Sequence, residues 1–220
     1  MPGIIGGLWR QPNFSYQGKF YKAKDVTIVP RPLQKPAPPI FMAAALSPES
    51  FVAAGQKGHS IMLAPFTQSR GMLKENVQLY KETLSQSGHS PDGVEIVAGY
   101  HTYVDETPEL ACGKWQSHYL RYMNFVGSLI NPAEEYTSQQ YESWRRSGEA
   151  LKHVSWEMMY PNQVLCGDPA QCVERIGLLQ EEFGVTHFWV YMDLGGLDQR
   201  ELRRSMERFA TQVIPQFSGK

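Results

Sequence analysis

Short apolar runs and stretches of helical periodicity alternate four times along the chain. Ile40–Ala44 precedes a helical pattern over Ser47–Lys57, and Ser60–Ala64 precedes one over Met72–Ser87. Val94–Val104 is followed by Thr107–Ile130, and His187–Tyr191 by Asp198–Gln212. Strands separated by helices predict parallel pairing through right-handed crossovers. The first, second and fourth runs are apolar throughout, as expected when helices or a barrel interior cover both faces. A further helix, capped by Asp168 with Pro169 at its first position, enters the unit of the last strand. Gly55, Gly58, Gly88 and Gly184 fall at or just past predicted helix ends, where a left-handed cap favours them. On the last helix Leu202, Met206, Phe209 and Val213 recur at the spacing of a buried face, which leaves Arg203, Arg204, Glu207 and Arg208 to solvent. Between the third helix and the Asp168 helix lies residues 131–161, read as a helical insertion whose Tyr136, Tyr141, Trp144, Trp156, Met158, Met159 and Tyr160 are core aromatics or a cover over a ligand.

The junction of the first strand and its helix carries the strongest chemical cue. Pro36, Pro38 and Pro39 stiffen the approach, Ala45 and Leu46 turn, and Ser47 stands at an N-cap with Pro48 at the first helical position. Ser47 and Ser50 offer hydroxyls, and the N–H groups of Glu49 and Ser50 are expected to point out of the helix start. That combination suits a phosphate, though simple helix capping explains the same residues.

Composition narrows the class. A formal net charge of −1 over 220 residues, without a basic block, argues against a nucleic-acid partner. Cys112, Cys166 and Cys172 give neither a disulfide framework nor metal spacing. No apolar run approaches the roughly 20 residues of a membrane helix, and the start lacks a secretory leader. The expectation is a cytoplasmic protein with no membrane or nucleic-acid partner.

Other candidates have plainer alternatives. Gly195 and Gly196 follow the last strand, either to let backbone approach a ligand or to turn before the Asp198 cap. Met62, Ala64, Pro65 and Phe66 end the second strand as core or as one wall of a ligand site. His101 in the third strand is a proton carrier or, more conservatively, a hydrogen-bonded structural histidine. No His and carboxylate pattern marks a metal site, and no catalytic residue is assigned.

Four stretches together resemble the bacterial luciferase-like flavin monooxygenases: FSYQGKFY (Phe14–Tyr21), PRPLQKPAPPIFMAAALSPES (Pro30–Ser50), Cys166–Val190, and Asp193–Phe217 with its closing Ser205-Met206-Glu207-Arg208-Phe209 and Val213-Ile214-Pro215. The resemblance implies an α/β fold, a TIM-barrel-like (β/α) repeat corresponding to the C-terminal half of a (β/α)8 barrel, with the insertion before the last strand, all as one domain over 1–220. It implies a flavin-dependent oxidoreductase that uses reduced FMN, or F420 as the alternative, on a small organic substrate. The family's phosphate-contacting loop falls on Ala45–Ser50, so that Ala45, Leu46, Ser47, Glu49 and Ser50 become cofactor-binding candidates, joined by Gly195 and Gly196.

Half a barrel leaves open strand edges and an uncovered inner face. A homodimer or higher oligomer is therefore expected. Turnover would require another copy or the missing half, and the alternatives are a non-catalytic flavin or phosphate binder and an inactive fragment.

Overall fold

The computed structural model describes residues 2–45, 47–130, 146 and 148–217. It divides into two compact units, residues 1–42 and 43–220. In the first unit α1 (Pro2–Arg10) is followed by an antiparallel hairpin, β1 (Phe14–Gln17) and β2 (Lys22–Val26). Asn13 and Thr27 close its base, the Asn13 N–H donating to Thr27 Oγ1 at 2.8 Å and the Thr27 hydroxyl to Asn13 Oδ1 at 3.0 Å. Most hairpin residues are exposed, so no apolar alternation announced these strands in the sequence.

The second unit begins within β3 (Phe41–Ala44) and carries α2 (Pro48–Gln56), β4 (Ser60–Leu63), a single 3-10 turn (Pro65–Thr67), α3 (Arg70–Gln86), β5 (Ile96–Val104) and α4 (Pro108–Leu129). Then come α5 (Trp156–Met159), β6 (Leu165–Gly167), α6 (Pro169–Phe183), β7 (His187–Tyr191) and α7 (Gln199–Arg208), which runs on through residues 209–217. The four expected strands are present within two residues of their expected bounds.

The sheet runs β3-β4-β5-β7, with β4, β6 and β7 all parallel to β5. Thr67, just past β4, donates its hydroxyl to the Ala45 carbonyl just past β3, which brings the C-terminal ends of these two neighbours together. β6 was not foreseen, because three residues carry no readable period. It pairs with Thr102–Val104 on the β4 side of β5: Ile61 and Asp105 N–H groups bond to Glu95 and Gly167 carbonyls, whereas Thr186 N–H reaches Ile96 O on the opposite edge. Among the described residues β3 and β7 end the sheet unpaired, so it is an open sheet and no barrel closes.

Alternation along β5 separates two faces. Ile96, Ala98, Tyr100, Thr102 and Val104 lie on one face with Ile61, Leu63, Phe188 and Val190, opposite Val97, Gly99, His101 and Tyr103 on the other. The second face is half covered. Its upper part packs Tyr103 into a cluster with Trp115, Tyr119, Met123, Trp156, Met159 and Cys166, supplied by α4, α5 and β6. Lower down Met62 and Val97 are only half-buried and Trp189 is 48% exposed. Trp156 and Met159 thus belong to the core, while Tyr136, Tyr141 and Trp144 lie outside the described residues.

Three local expectations are corrected. Gly55 is inside α2 rather than at its end. A Cβ there would lie 2.9 Å from the Tyr80 carbonyl oxygen and 3.0 Å from the Leu84 nitrogen, so this glycine lets α2 lie close against α3. Met206 is 50% exposed, and Ser205, fully buried, takes its place on the inner side of α7 by accepting the Val104 N–H at 2.7 Å. Arg208 is not solvated; it pairs with Asp105 at 3.0 Å and Glu106 at 2.6 Å. Gly58, Gly88 and Gly184 do adopt positive φ as expected. Among the described residues no helix is long and apolar enough to cross a membrane.

Candidate functional site

The loop after β3 is built on a buried polar scaffold. The Ala45 carbonyl accepts from Thr67 Oγ1 at 2.7 Å and from Gln68 Nε2 at 2.9 Å. Gln68 is in turn held by Asn76, which donates to its Oε1 at 2.8 Å, and by Gln163, which donates to its carbonyl at 3.0 Å. Gln68 and Asn76 are both buried. Sequence reasoning missed them, because an amide that fastens a distant backbone carbonyl carries no local signature.

Ser47 has the extended backbone of an N-cap, φ −101° and ψ 135°, but its side chain caps nothing. Ser69, Thr107, Ser155, Asp168 and Asp198 each accept an N–H from the first turn of their helices. Ser47 Oγ instead lies 3.1 Å from Ser50 Oγ. The Ser50 N–H, expected to point outward, returns to the Ser47 carbonyl at 3.0 Å. The Glu49 N–H has no partner among the described residues, and Leu46 lies outside them. Pro48 at the first position presents no donor. The start of α2 is thus left with two convergent hydroxyls, one N–H without a partner among the described residues and the positive end of the helix.

Gly195 and Gly196 have φ of +83° and +77°. The Gly195 N–H bonds Asp193 Oδ1 at 3.0 Å, and its carbonyl accepts from Arg121 Nη2 at 2.8 Å. A Cβ on Gly196 would run into the same guanidinium. Asp198 caps α7 immediately afterwards. The glycine pair is therefore a turn pinned by α4. It follows β7 and the Ser47 loop follows β3, so two strands separate them, about 14 Å along the sheet.

His101 is 2% exposed, and its Nδ1 has no hydrogen-bond partner among the described residues. Its ring centroid lies 4.5 Å from Phe66, 5.2 Å from Tyr122, and 5.5 Å from both Tyr119 and Tyr191. Burial pushes its pKa down to about 4, so the imidazole is neutral at physiological pH. Trp189 stacks on Tyr191 at 5.0 Å. Phe66 therefore faces a polar aromatic cluster, while Pro65 is buried in the turn below it.

A charged clasp lies at the end of β5. Asp105, 1% exposed, pairs with Lys114 at 2.8 Å and Arg208 at 3.0 Å, and Lys114 also reaches Glu201 at 2.8 Å. Burial alone would raise the Asp105 pKa, but the Lys114 and Glu106 N–H hydrogen bonds and the two cations outweigh it and hold the carboxyl low. Cys166 and Cys172 are fully buried, and burial raises both thiols.

With this geometry in view, a sequence profile of the luciferase-like monooxygenases matches residues 3–187. The chain belongs to the luciferase-like monooxygenase family. It is 26% identical over 219 residues to the oxygenase component of a flavin-dependent trigonelline monooxygenase from Acinetobacter baylyi, covering 97% of this chain and 58% of that protein. It is 49% identical over 41 residues to an FMNH2-dependent dimethylsulfone monooxygenase from Pseudomonas putida, 19% of this chain and 11% of that one. The crystal structure of the monooxygenase RslO1 from Streptomyces bottropensis superposes with TM-score 0.73 at 23% identity, over 97% of this chain and 59% of RslO1. This luciferase-like chain thus spans under two thirds of the length of the first of these relatives and of RslO1.

Proposed function

We propose that this chain works as part of a monooxygenase that uses reduced FMN and O2 on a small organic substrate. The observation that carries the reading is the uncapped start of α2. A phosphate ester there would receive the Ser47 and Ser50 hydroxyls and the Glu49 N–H on the positive end of the helix. The Ala45 carbonyl just ahead of these donors is fixed by Thr67 and Gln68, which anchors the loop before a ligand arrives, and Leu46 would join it as a cofactor-binding residue. Gly195 and Gly196 would let the β7 loop approach another part of the same cofactor. FMN and F420 both carry a phosphate, so this loop does not separate them; the flavin and FMNH2 named for the two relatives favour FMN, with F420 the alternative.

Reduced flavin held there would supply the two electrons for O2 activation, so that one oxygen atom could enter the substrate and the other leave as water. The chain's part would be to hold the phosphate and to place the substrate against the half-covered inner sheet face, where Met62, Val97 and Trp189 are partly exposed. That face and the free β3 and β7 edges support assembly with another copy of the chain, a homodimer, or with the other half of a barrel; we take 1–220 as one cytoplasmic domain within it.

The test is single-turnover oxidation of chemically reduced FMN by O2 in the presence of the chain, with its assembly state followed by sedimentation. Slowed flavin oxidation together with a dimer supports the reading. Flavin oxidised at its free rate by a well-behaved monomer refutes it. A second reading is a flavin or phosphate binder without turnover, since the donors at the start of α2 account for binding and not for oxygen transfer. It predicts flavin binding without any oxygenated product.

A further inference from the structure

Two polar atoms on the inner face of the sheet are buried without partners among the described residues, His101 Nδ1 and Tyr119 Oη. Their side chains are 2% and 0% exposed and their rings are 5.5 Å apart. Orphaned polar atoms are rare in folded proteins because each forfeits its hydrogen bonds to water, and two on neighbouring rings mark a place where a ligand or an ordered water completes the set. Two more phenols join them. The Tyr122 and Tyr191 rings also pack on His101, and Tyr122 acts electrostatically on both Tyr119 and Tyr191. Phe66 closes one side at 4.5 Å from the imidazole.

The charge state of this cluster limits what it can hold. Burial keeps the imidazole neutral and raises the Tyr119 and Tyr191 hydroxyls, so these two phenols remain donors at physiological pH. Among the described residues no charged side chain acts on His101, Tyr119 or Tyr191. An anion brought here would lose its hydration with no counter-charge in return. A neutral oxygen with a strong dipole loses far less and gains several donors.

We propose that His101, Tyr119, Tyr122 and Tyr191 form a neutral donor pocket for an uncharged acceptor oxygen, sulfonyl or carbonyl, of the organic substrate. As a statement about a substrate this rests on the monooxygenase reading. The pocket would exclude carboxylate and sulfonate groups from the same position, and its aromatic walls would pack on the apolar remainder of the molecule.

The test needs no flavin, so its failure is separable from failure of flavin binding. The probes are dimethyl sulfone and methanesulfonate, nearly isosteric, one neutral and one anionic. Binding is read from the His101 imidazole resonance in histidine-labelled protein, assigned by its loss in His101→Gln. Dimethyl sulfone is expected to move that resonance saturably, with methanesulfonate leaving it in place. Tyr119→Phe, which keeps the ring, should weaken dimethyl sulfone by about tenfold without lowering the melting temperature. Tyr122→Phe, half-buried, should weaken it in the same direction. The proposal is overturned if dimethyl sulfone fails to move the resonance, as it would with only water in the pocket. It is equally overturned if methanesulfonate binds as tightly, or if both Tyr→Phe variants bind dimethyl sulfone like the parent.

Discussion

Gly55→Ala offers a sharp test of the packing that positions the α2 start. Alanine in a helix interior is favoured over glycine by about 0.8–1 kcal/mol, so propensity alone predicts stabilisation. At Gly55 the new methyl group would lie 2.9 Å from the Tyr80 carbonyl oxygen, 3.0 Å from the Leu84 nitrogen and 2.9 Å from Thr83 Cβ. Two of these are backbone atoms of α3 that no rotamer change can move. Overpacking of this kind costs about 1–3 kcal/mol, and with fixed backbone the upper part of that range applies. The net expectation is a loss of about 1–2 kcal/mol. Gly113 in α4 and Gly177 in α6 have nothing within 4 Å of the same position, so Gly113→Ala and Gly177→Ala should each gain about 0.5–1 kcal/mol. Urea titration followed by circular dichroism measures all three variants against the parent. Because α2 carries the candidate phosphate site, Gly55→Ala should also weaken FMN. A Gly55→Ala protein at least as stable as the parent would refute the α2–α3 contact and the placement built on it.

Three further outcomes are expected. Ser47→Ala should leave stability within about 0.5 kcal/mol while weakening FMN, whereas Asp168→Ala, whose carboxylate accepts the Gln171 N–H at 2.8 Å, should cost about 1 kcal/mol, both read by thermal melts. His101 has its folded pKa lowered to about 4 from 6.5, so the unfolded chain takes up the proton first. Its contribution is complete above about pH 6.5, and roughly 3 kcal/mol of it is lost as the pH falls to about 4; denaturant midpoints across that window should show a slope that His101→Gln lacks. Asp105→Asn should cost about 2 kcal/mol at neutral pH by stranding Arg208 and Lys114. Since the Asp105 pKa is lowered on folding, its contribution is present above the ordinary carboxylate range and lost below it, and the gap between variant and parent should close on acidification.

The order of strands and helices was readable because each apolar run is long enough to declare its period and each following helix begins with a cap residue or proline. The hairpin of the first unit and β6 were not readable: the former is exposed along most of its length and the latter has three residues. Ser47 was legible as a helix start but not as an idle cap, since whether its hydroxyl turns to the backbone or to Ser50 is decided by the fold. The same limit applies to Arg208. Helical spacing placed it among the solvated charges, and only the end of β5 brings Asp105 within 3.0 Å of it. His101 was visible as a strand histidine, but Tyr119, Tyr122 and Tyr191, which give it a chemical context, come from α4 and β7.

The most direct test of the central claim is a paired fluorescence titration of the chain with FMN and with riboflavin, which lacks the phosphate, repeated on Ser47→Ala. Saturable FMN binding near ~10 μM, with riboflavin and the variant each at least about tenfold weaker, is the predicted result. Equal affinity for FMN and riboflavin, or no saturation by ~1 mM FMN, would contradict a phosphate site at the start of α2.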